Sequence, residues 1–259
     1  MIIDAHAHVS TTDYGSRELL LSQLDESGVD AALVVPGGMA DVRRMTDYIT
    51  GRATPETVPN NSYVEESVRA EPQRLGGFFC VDPHLPGATE ALADALARGF
   101  LGLKLSPITH QFSFASKAVA ELSELCGQRG VPVYSHTLFN PGASTARFVS
   151  LAREFPGTNF ILGHLGFGPA DQEGLEAACA LDNFFLESST GNFLHLQAIL
   201  DKAGPAKLIF GSEFPLSHPK AELEKILLLK APGEALDLIL GGNIMALTGW
   251  RPGPKGGEA

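Results

Sequence analysis

The stretch IIDAHAHV at residues 2–9 is a short apolar run that carries two histidines two positions apart. In a β-strand, side chains at positions i and i+2 point to the same face. His6 and His8 are therefore expected side by side, with Asp4 before them on the same face. The pattern predicts a first strand that presents two imidazoles together.

Seven more apolar runs follow, each ending in turn residues, and they repeat the spacing of a strand–helix unit. The eight runs begin at residues 2, 31, 77, 102, 131, 159, 183 and 207, so successive starts lie 24 to 29 residues apart except for one interval of 46. Segments of helical periodicity separate them, such as the stripe of Phe148, Leu151 and Phe155. Eight such units predict an α/β fold, a (β/α)8 TIM barrel that forms a single domain over residues 1–250, with 251–259 as a flexible tail.

The one long interval follows Pro36 and includes the turn-rich stretch 51–61. In a barrel, a loop that follows a strand lies at the mouth. We predict that this loop overhangs the mouth and covers a ligand. The alternative is a surface loop without a ligand role.

Composition limits the class of protein and its partners. The 259 residues carry a formal net charge of −11 and are 44% hydrophobic, so the chain can bury a full-sized core and lacks the clustered Lys and Arg that nucleic acid binding requires. No apolar stretch approaches the ~20 residues of a membrane span, and the first residues do not resemble a signal peptide. Cys80, Cys126 and Cys179 form no CxxC pair. We expect a cytoplasmic protein with neither a nucleic-acid nor a membrane partner.

Histidines concentrate at the ends of the predicted strands. His6 and His8 end the first run, His136 the fifth and His164 the sixth, while Glu213 follows the eighth. The carboxyl ends of barrel strands build the active site, so these side chains should converge at one rim. Imidazoles with one carboxylate suit zinc, with manganese, iron or cobalt as alternatives. We predict a divalent metal held by His6, His8, His136 and Glu213, with His164 as a further candidate ligand.

Other polar residues adjoin the predicted metal site. Lys104 lies in the apolar run GLKLSP, which favours a role in the site over its alternative, an ion pair with Asp82 or Glu187. Glu187 ends the seventh run and is expected to hydrogen-bond at the rim. Asp4 either orients a ligand imidazole from behind or is a buried acid whose hydrogen bonds are satisfied. A carboxylate on the substrate could pair with Lys104 or His110.

An ordered set of motifs identifies a family resemblance. The motifs are DAHAH at 4–8, GLKLSP at 102–107, SHT at 135–137, GHLG at 163–166, GSEFP at 211–215 and GGNIMALTG at 241–249. The series resembles the amidohydrolase superfamily, in the branch that holds metal-dependent hydrolases and decarboxylases. The resemblance implies that His6, His8 and His136 are metal ligands, and that His164 binds a second metal or polarises the substrate. Glu213 stands where relatives carry a metal-binding, proton-shuttling aspartate.

The sequence departs from that family pattern at Glu213. Glutamate is longer by one methylene, about 1.5 Å of reach, so its carboxylate must fold back to bind the metal or act beside it as a base. Ser106 stands where relatives often have histidine. Lys104 resembles the lysine that is carboxylated in binuclear members, a modification that is not assumed here because this branch usually holds one metal.

Four functions are compatible with the sequence. The first is metal-dependent hydrolysis of a small amide, ester or lactone, with Glu213, His164 and Lys104 as catalytic residues and His110 and Glu187 contacting the substrate. The second is non-oxidative decarboxylation of a small aromatic or enoic acid. A metal-free lactonase and a non-catalytic metal-binding barrel are the others. The expected partner is a small-molecule substrate, and a homodimer is compatible with the chain. No phosphate-binding glycine motif and no GxSxG motif are present.

Overall fold

A computed structural model describes residues 1–253 of the chain, and nine parallel strands form its centre. The strands are β1 (Ile3–Val9), β2 (Ala31–Pro36), β3 (Leu75–Gly77), β4 (Phe79–Cys80), β5 (Leu103–Leu105), β6 (Val133–Ser135), β7 (Phe160–Leu162), β8 (Phe184–Glu187) and β9 (Leu208–Ile209). They coincide with the eight predicted runs, because β3 and β4 are one run interrupted at Phe78.

Helices follow the strands along the chain. They are α1 (Arg17–Ser27), α2 (Met45–Ile49), α3 (Asn61–Ala70), α4 (Ala88–Ala97), α5 (Pro107–His110), α6 (Lys117–Arg129), α7 (Thr145–Glu154), α8 (Gln172–Ala180), α9 (Phe193–Lys202), α10 (Pro219–Leu227), α11 (Gly233–Asp237) and α12 (Asn243–Thr248). Ser16 caps α1 through its side chain, and Gly28 ends that helix in the left-handed conformation, as the sequence pattern predicts.

The strands form two parallel sheets that main-chain hydrogen bonds join into a ring. The sheets are β1-β2-β3 and β4-β5-β6-β7-β8-β9. At one junction, Phe78 N donates to Val34 O at 3.0 Å. At the other, the chain after β9 runs beside β1: Glu213 N donates to His6 O, and His8 N to Phe214 O, both at 2.7 Å. The predicted TIM barrel is confirmed, with short strands and few bonds at this second junction.

A β-bulge interrupts β1 just before its histidine pair. The register pairs Ile3 with Ala31 and Asp4 with Ala32, then shifts, so that Ala7 pairs with Val34 and His8 with Val35. One extra residue in a strand reverses the alternation of its side chains beyond that point. Asp4 therefore does not share a face with His6 and His8, and that expectation from simple alternation is wrong.

The hydrophobic core has two layers, inside and outside the ring of strands. Inside, Ile3, Leu33, Phe78 and Ile161 pack together with residues of α12. Outside, a larger cluster fills the space between strands and helices, as expected for strands covered on both faces. The inner layer closes the floor of the barrel beneath the histidines.

The ring of Phe78 packs directly against the backbone of Gly102, where there is no room for a side chain. A Cβ at Gly102 would lie 2.7 Å from Pro132 O and closer still to the Phe78 ring. We expect Gly102→Ala to lower the free energy of unfolding by about 1–3 kcal/mol through overpacking, measured by chemical denaturation. Gly157→Ala is the matched control, because no heavy atom lies within 4 Å of its Cβ. Equal stability of the two variants would contradict this account.

The end of the chain lies partly beyond the structure. Of the predicted tail, residues 254–259 lie outside the described residues, whereas Gly253 N donates to Gln73 O at 2.9 Å. Among residues 1–253, the structure contains no helix long and apolar enough to cross a membrane.

Candidate active site

A cavity of about 290 Å³ opens at the carboxyl ends of the strands. Its floor carries His8, His136, His164 and Glu213, from the ends of β1, β6, β7 and β9. This is the end of the barrel where catalytic residues are built, and the volume lies near the lower end of the range for small-molecule sites. Four of the predicted site residues therefore face one cavity.

The carboxylate of Glu213 lies among three imidazoles. Its Oε2 atom is 2.8 Å from His6 Nδ1, 3.5 Å from His8 Nε2 and 3.8 Å from His164 Nε2. The contact with His6 is close but not aligned as a hydrogen bond, so Oε2 is a buried acceptor without a hydrogen-bond partner. The longer glutamate side chain thus reaches the centre of the histidine group.

His6 is fully buried and links this centre to the barrel interior. Its Nδ1 atom lies 3.2 Å from Glu187 Oε2, and its Nε2 atom lies 3.1 Å from His8 Nε2 and 2.9 Å from Lys104 Nζ. Nε2 and Nζ cannot both direct a hydrogen at each other, so one of them donates and the other accepts, according to the protonation of His6 and Lys104. His6 is the residue on which the predicted groups converge.

Glu187 anchors the site from beneath. Tyr134 Oη donates to Glu187 Oε2 at 2.8 Å, and Ser189 Oγ donates to the same atom at 2.9 Å. Ser189 Oγ also lies 2.9 Å from His164 Nδ1, an arrangement that turns His164 Nε2 toward the cavity. Glu187 thus orients the rings of His6 and His164 and does not line the cavity, contrary to its predicted contact with substrate.

Backbone strain concentrates at the same place. His164, Leu165, Thr190 and Glu213 have φ values of 61°, 59°, 55° and 61°, in the left-handed region that non-glycine residues seldom adopt. Each such residue costs of order 1–3 kcal/mol, and such costs cluster at functional sites. The sharp turn at Glu213 directs its side chain back over β1.

The buried carboxyls of Glu187 and Glu213 both have lowered pKa values. Burial acts to raise the pKa of Glu187, but its hydrogen bond with His6 and the positive charge there lower it to about 2. Burial likewise opposes ionisation of Glu213, but the charges of His6, His8 and His164 hold the pKa of that carboxyl well below its usual range. Glu213 is therefore a proton acceptor at neutral pH.

The imidazoles differ in the direction in which their pKa values are shifted. Burial acts to lower the pKa of His6, but the Glu213 carboxylate outweighs it and raises that pKa. Burial lowers the pKa of His8 and His164, and lowers that of His136 well below its usual range. Neutral imidazole is the form that binds metal ions.

Lys104 contacts imidazole and aromatic groups and forms no ion pair with an acid. Its Nζ atom lies 3.9 Å above the ring of Tyr134, and burial lowers the pKa of its amine. Within residues 1–253, no ion pair joins it to Asp82 or Glu187, and Asp82 contacts His84 instead. Lys104 is buried behind His6 and does not line the cavity.

Two other predicted residues hold the backbone in place. Asp4 Oδ1 accepts from the main-chain N atoms of His6 and Ser212 at 3.0 and 2.8 Å, so Asp4 joins β1 to the chain after β9 and touches no imidazole. His110 Nε2 donates to Thr57 O at 2.9 Å, which ties down the long loop after β2. The expectations that Asp4 orients a ring and that His110 meets substrate do not match these contacts.

Metal binding fits this set of donors. His6, His164 and Glu213 each offer a donor atom within 4.8 Å of the others. Two imidazole nitrogens that share one ion at about 2.0–2.1 Å lie roughly 3–3.4 Å apart, and the Nε2 atoms of His6 and His8 are 3.1 Å apart. His136 Nε2 is buried without a hydrogen-bond partner. The charge that stabilises a proton on His6 would equally stabilise a bound cation.

Tyr134, Ser189 and Thr190 complete the site and were not singled out by sequence reasoning. Tyr134 shares strand parity with His136, so the alternation in VYSHT could have indicated an inward side chain. Ser189 and Thr190 lie in the turn after β8, where Thr190 Oγ1 is 3.4 Å from His164 Nδ1. No sequence signal distinguishes these two hydroxyls from ordinary turn residues.

Comparison with known proteins agrees with the fold and the motifs. A family model described as amidohydrolase matches residues 3–250. A search of curated proteins found no match to the chain.

Solved structures share the architecture at low sequence identity. An uncharacterized TIM-barrel protein from Bordetella bronchiseptica is 17% identical, with a TM-score of 0.76 over 96% of this chain and 99% of that one. A probable 2-pyrone-4,6-dicarboxylic acid hydrolase from Acinetobacter baumannii is 18% identical, with a TM-score of 0.69 over 96% and 99%. A dihydroxybenzoic acid decarboxylase from Polaromonas sp. JS666, with bound manganese, is 16% identical, with a TM-score of 0.71 over 96% of both chains. At these identities, the likeness concerns the fold.

Proposed function

Because the chain belongs to the amidohydrolase family, we propose that it is a metal-dependent hydrolase of a small amide, ester or lactone. The observation that carries the proposal is the position of the Glu213 carboxylate, whose Oε2 atom lies within 3.8 Å of nitrogens of three imidazoles. His6, His8 and His136 would hold a divalent ion, zinc or manganese, with His164 and Glu213 beside it. Such an ion supplies a Lewis acid and acidifies a water molecule.

Different residues of the chain then transfer the proton, bind the carbonyl group and orient the imidazole rings. Glu213 accepts a proton from the attacking water and returns it to the leaving group. His164 directs Nε2 toward the cavity and hydrogen-bonds the carbonyl oxygen of the substrate. Glu187, Tyr134 and Ser189 keep the rings of His6 and His164 oriented, and Lys104 adjusts the charge on His6.

An ionised Glu213 carboxylate suits the first step of hydrolysis better than the last step of decarboxylation. Hydrolysis begins with removal of a proton from water, for which an ionised carboxylate is suited. Decarboxylation ends with protonation of carbon and needs a group that starts as an acid. The low pKa of Glu213 fits the first requirement.

The test is a turnover assay on the metal-loaded protein. We expect hydrolysis of phenyl acetate or dihydrocoumarin by protein loaded with zinc or manganese, loss of turnover after chelation, and recovery when the ion is returned. The same preparation is given 2,6-dihydroxybenzoate, and carbon dioxide is measured. Carbon dioxide release without ester or lactone hydrolysis would make the protein a decarboxylase. Undiminished turnover after chelation would contradict the metal dependence.

A further inference from the structure

The side chains that the long loop adds to the cavity wall are apolar, and the polar part of the wall consists of uncharged hydroxyls such as those of Ser106 and Thr137. Met39, Val42, Met45 and Ile49 come from the segment between β2 and α3, and Leu138 and Leu216 come from other loops. Residues within 37–49 of this long loop line the cavity, whereas the turn-rich stretch 51–61 does not, and the covering of a ligand stays a prediction. Apolar walls favour an apolar ligand body through the hydrophobic effect.

Within residues 1–253, the cavity offers no lysine or arginine side chain that could pair with an acidic group on the ligand away from the metal. Among the residues that the structure describes, no lysine or arginine lines it. The lining groups that ionise are Glu213 and three histidines, and all four lie on the floor that would hold the metal ion. A carboxylate bound against these walls would lose its hydration without gaining a cationic partner.

The arginines nearest the mouth are already paired within the covering loop. Arg43 Nη2 lies 2.8 Å from Asp41 Oδ2, and both Arg44 and Arg52 contact Asp47, at 3.3 and 3.2 Å. Two aspartates thus neutralise much of the charge of the three guanidinium groups on the loop. These pairs are exposed and weak, yet they direct the side chains along the loop and not into the cavity.

Lys104 and His110, the two basic side chains predicted to pair with a substrate carboxylate, are engaged elsewhere. Lys104 is buried behind His6, with its Nζ atom 2.9 Å from His6 Nε2. His110 donates to Thr57 O, and neither residue lines the cavity. Over the described part of the chain, the cavity walls therefore have no free lysine, arginine or histidine side chain that could pair with an acidic substrate.

We propose that the substrate is a neutral molecule with an apolar body about the size of one ring, and that this cavity rejects carboxylated analogues. This inference rests on the proposed metal-dependent hydrolysis, because it describes the part of the substrate that lies away from the reacting carbonyl. The cavity volume of about 290 Å³ and the side chains of residues 37–49 set its size and polarity. The long loop after β2 is thus the specificity-determining segment.

The test compares two ligands that differ by one carboxylate. Benzohydroxamate and 4-carboxybenzohydroxamate carry the same metal-chelating group, and their affinities for the zinc-loaded protein are measured by calorimetry. We expect the neutral ligand to bind at least about 10-fold more tightly, because the carboxylate would be desolvated without a partner. Ile49→Arg and Leu216→Arg each place a cation in the cavity lining, on two different loops, and should shrink or reverse this ratio.

Leu228→Arg is the matched control. Leu228 is 58% exposed and Ile49 57%, but Leu228 follows α10 at the opposite end of the barrel, so its substitution adds the same charge without changing the ratio. Equal or tighter binding of the carboxylated ligand by the unsubstituted protein would overturn the inference and leave the proposed hydrolase intact. Failure of both ligands to bind the metal-loaded protein would remove the proposed metal centre and the inference together.

Discussion

Replacing Glu213 with glutamine is expected to lower kcat by about 10²–10⁴-fold while the fold is retained. Glutamine keeps the length of the side chain and one oxygen at the position that lies 2.8 Å from His6 Nδ1, but it cannot accept a proton. The measurement is kcat for the ester or lactone that the metal-loaded protein hydrolyses, with melting temperature and metal content measured beside it. A loss of kcat without a loss of metal would separate proton transfer from metal binding.

Two further variants sharpen this prediction. Glu213→Asp keeps the carboxylate but retracts it by one methylene from the imidazoles, so an intermediate rate is expected. Glu173→Gln, on an exposed position in the first turn of α8, removes the same charge far from the cavity and should leave kcat unchanged. If Glu213→Gln kept more than a tenth of the parent kcat, the role of this carboxylate as base would be wrong.

Replacing His6 with glutamine is expected to abolish stoichiometric metal binding. His6 contacts Glu187, His8 and Lys104, so its loss removes a ligand and also the group that joins the centre to its supports. Loss of a residue that only holds a metal ligand in place costs roughly 10–100-fold in metal affinity. Because His6 is itself a predicted ligand, we expect the metal affinity to fall by more than about 100-fold. The measurement is metal content after dialysis and the metal affinity by competition with a chelating dye.

His195 offers a matched control for this substitution. It is buried in α9, and its Nε2 atom has no hydrogen-bond partner, so His195→Gln changes a buried histidine outside the cavity. We expect this variant to keep full metal content and turnover. Retention of one tightly bound ion per chain by His6→Gln would show that His6 is not a ligand.

Much of the barrel follows from patterns that are local in the chain. Strand positions could be predicted because each run is apolar on both faces, and helix ends because Ser16, Gly28 and Gly130 are strong capping residues. The convergence of His8, His136, His164 and Glu213 followed from the rule that strand ends of a barrel meet at one rim. Their roles as ligands and proton carriers stay predictions.

What could not be predicted depends on geometry between distant segments. The partner of Lys104 is His6 instead of an acid, because residues 98 positions apart meet only when the barrel forms. The left-handed backbone at Glu213 is a tertiary constraint with no local signal, since glutamate does not favour it. The polarity of the cavity wall likewise depends on how residues 37–49 lie across the mouth.

The bulge in β1 gives the first strand two parts that can vary independently. Ile3 and Ala5 pack in the floor of the barrel, and His6 and His8 lie in the candidate site above it. Because of the extra residue, the consecutive side chains of Ala5 and His6 both point into the barrel. A redesign of the floor can therefore change Ile3 or Ala5 for volume without rotating the histidines. A regular β1 that kept Ile3 paired with Ala31 would instead move His8 from Val35 to Pro36, about one strand residue or roughly 3.3 Å toward the mouth, and would turn both histidines to the other face of the strand. The bulge thus sets the height of the reaction centre within the barrel.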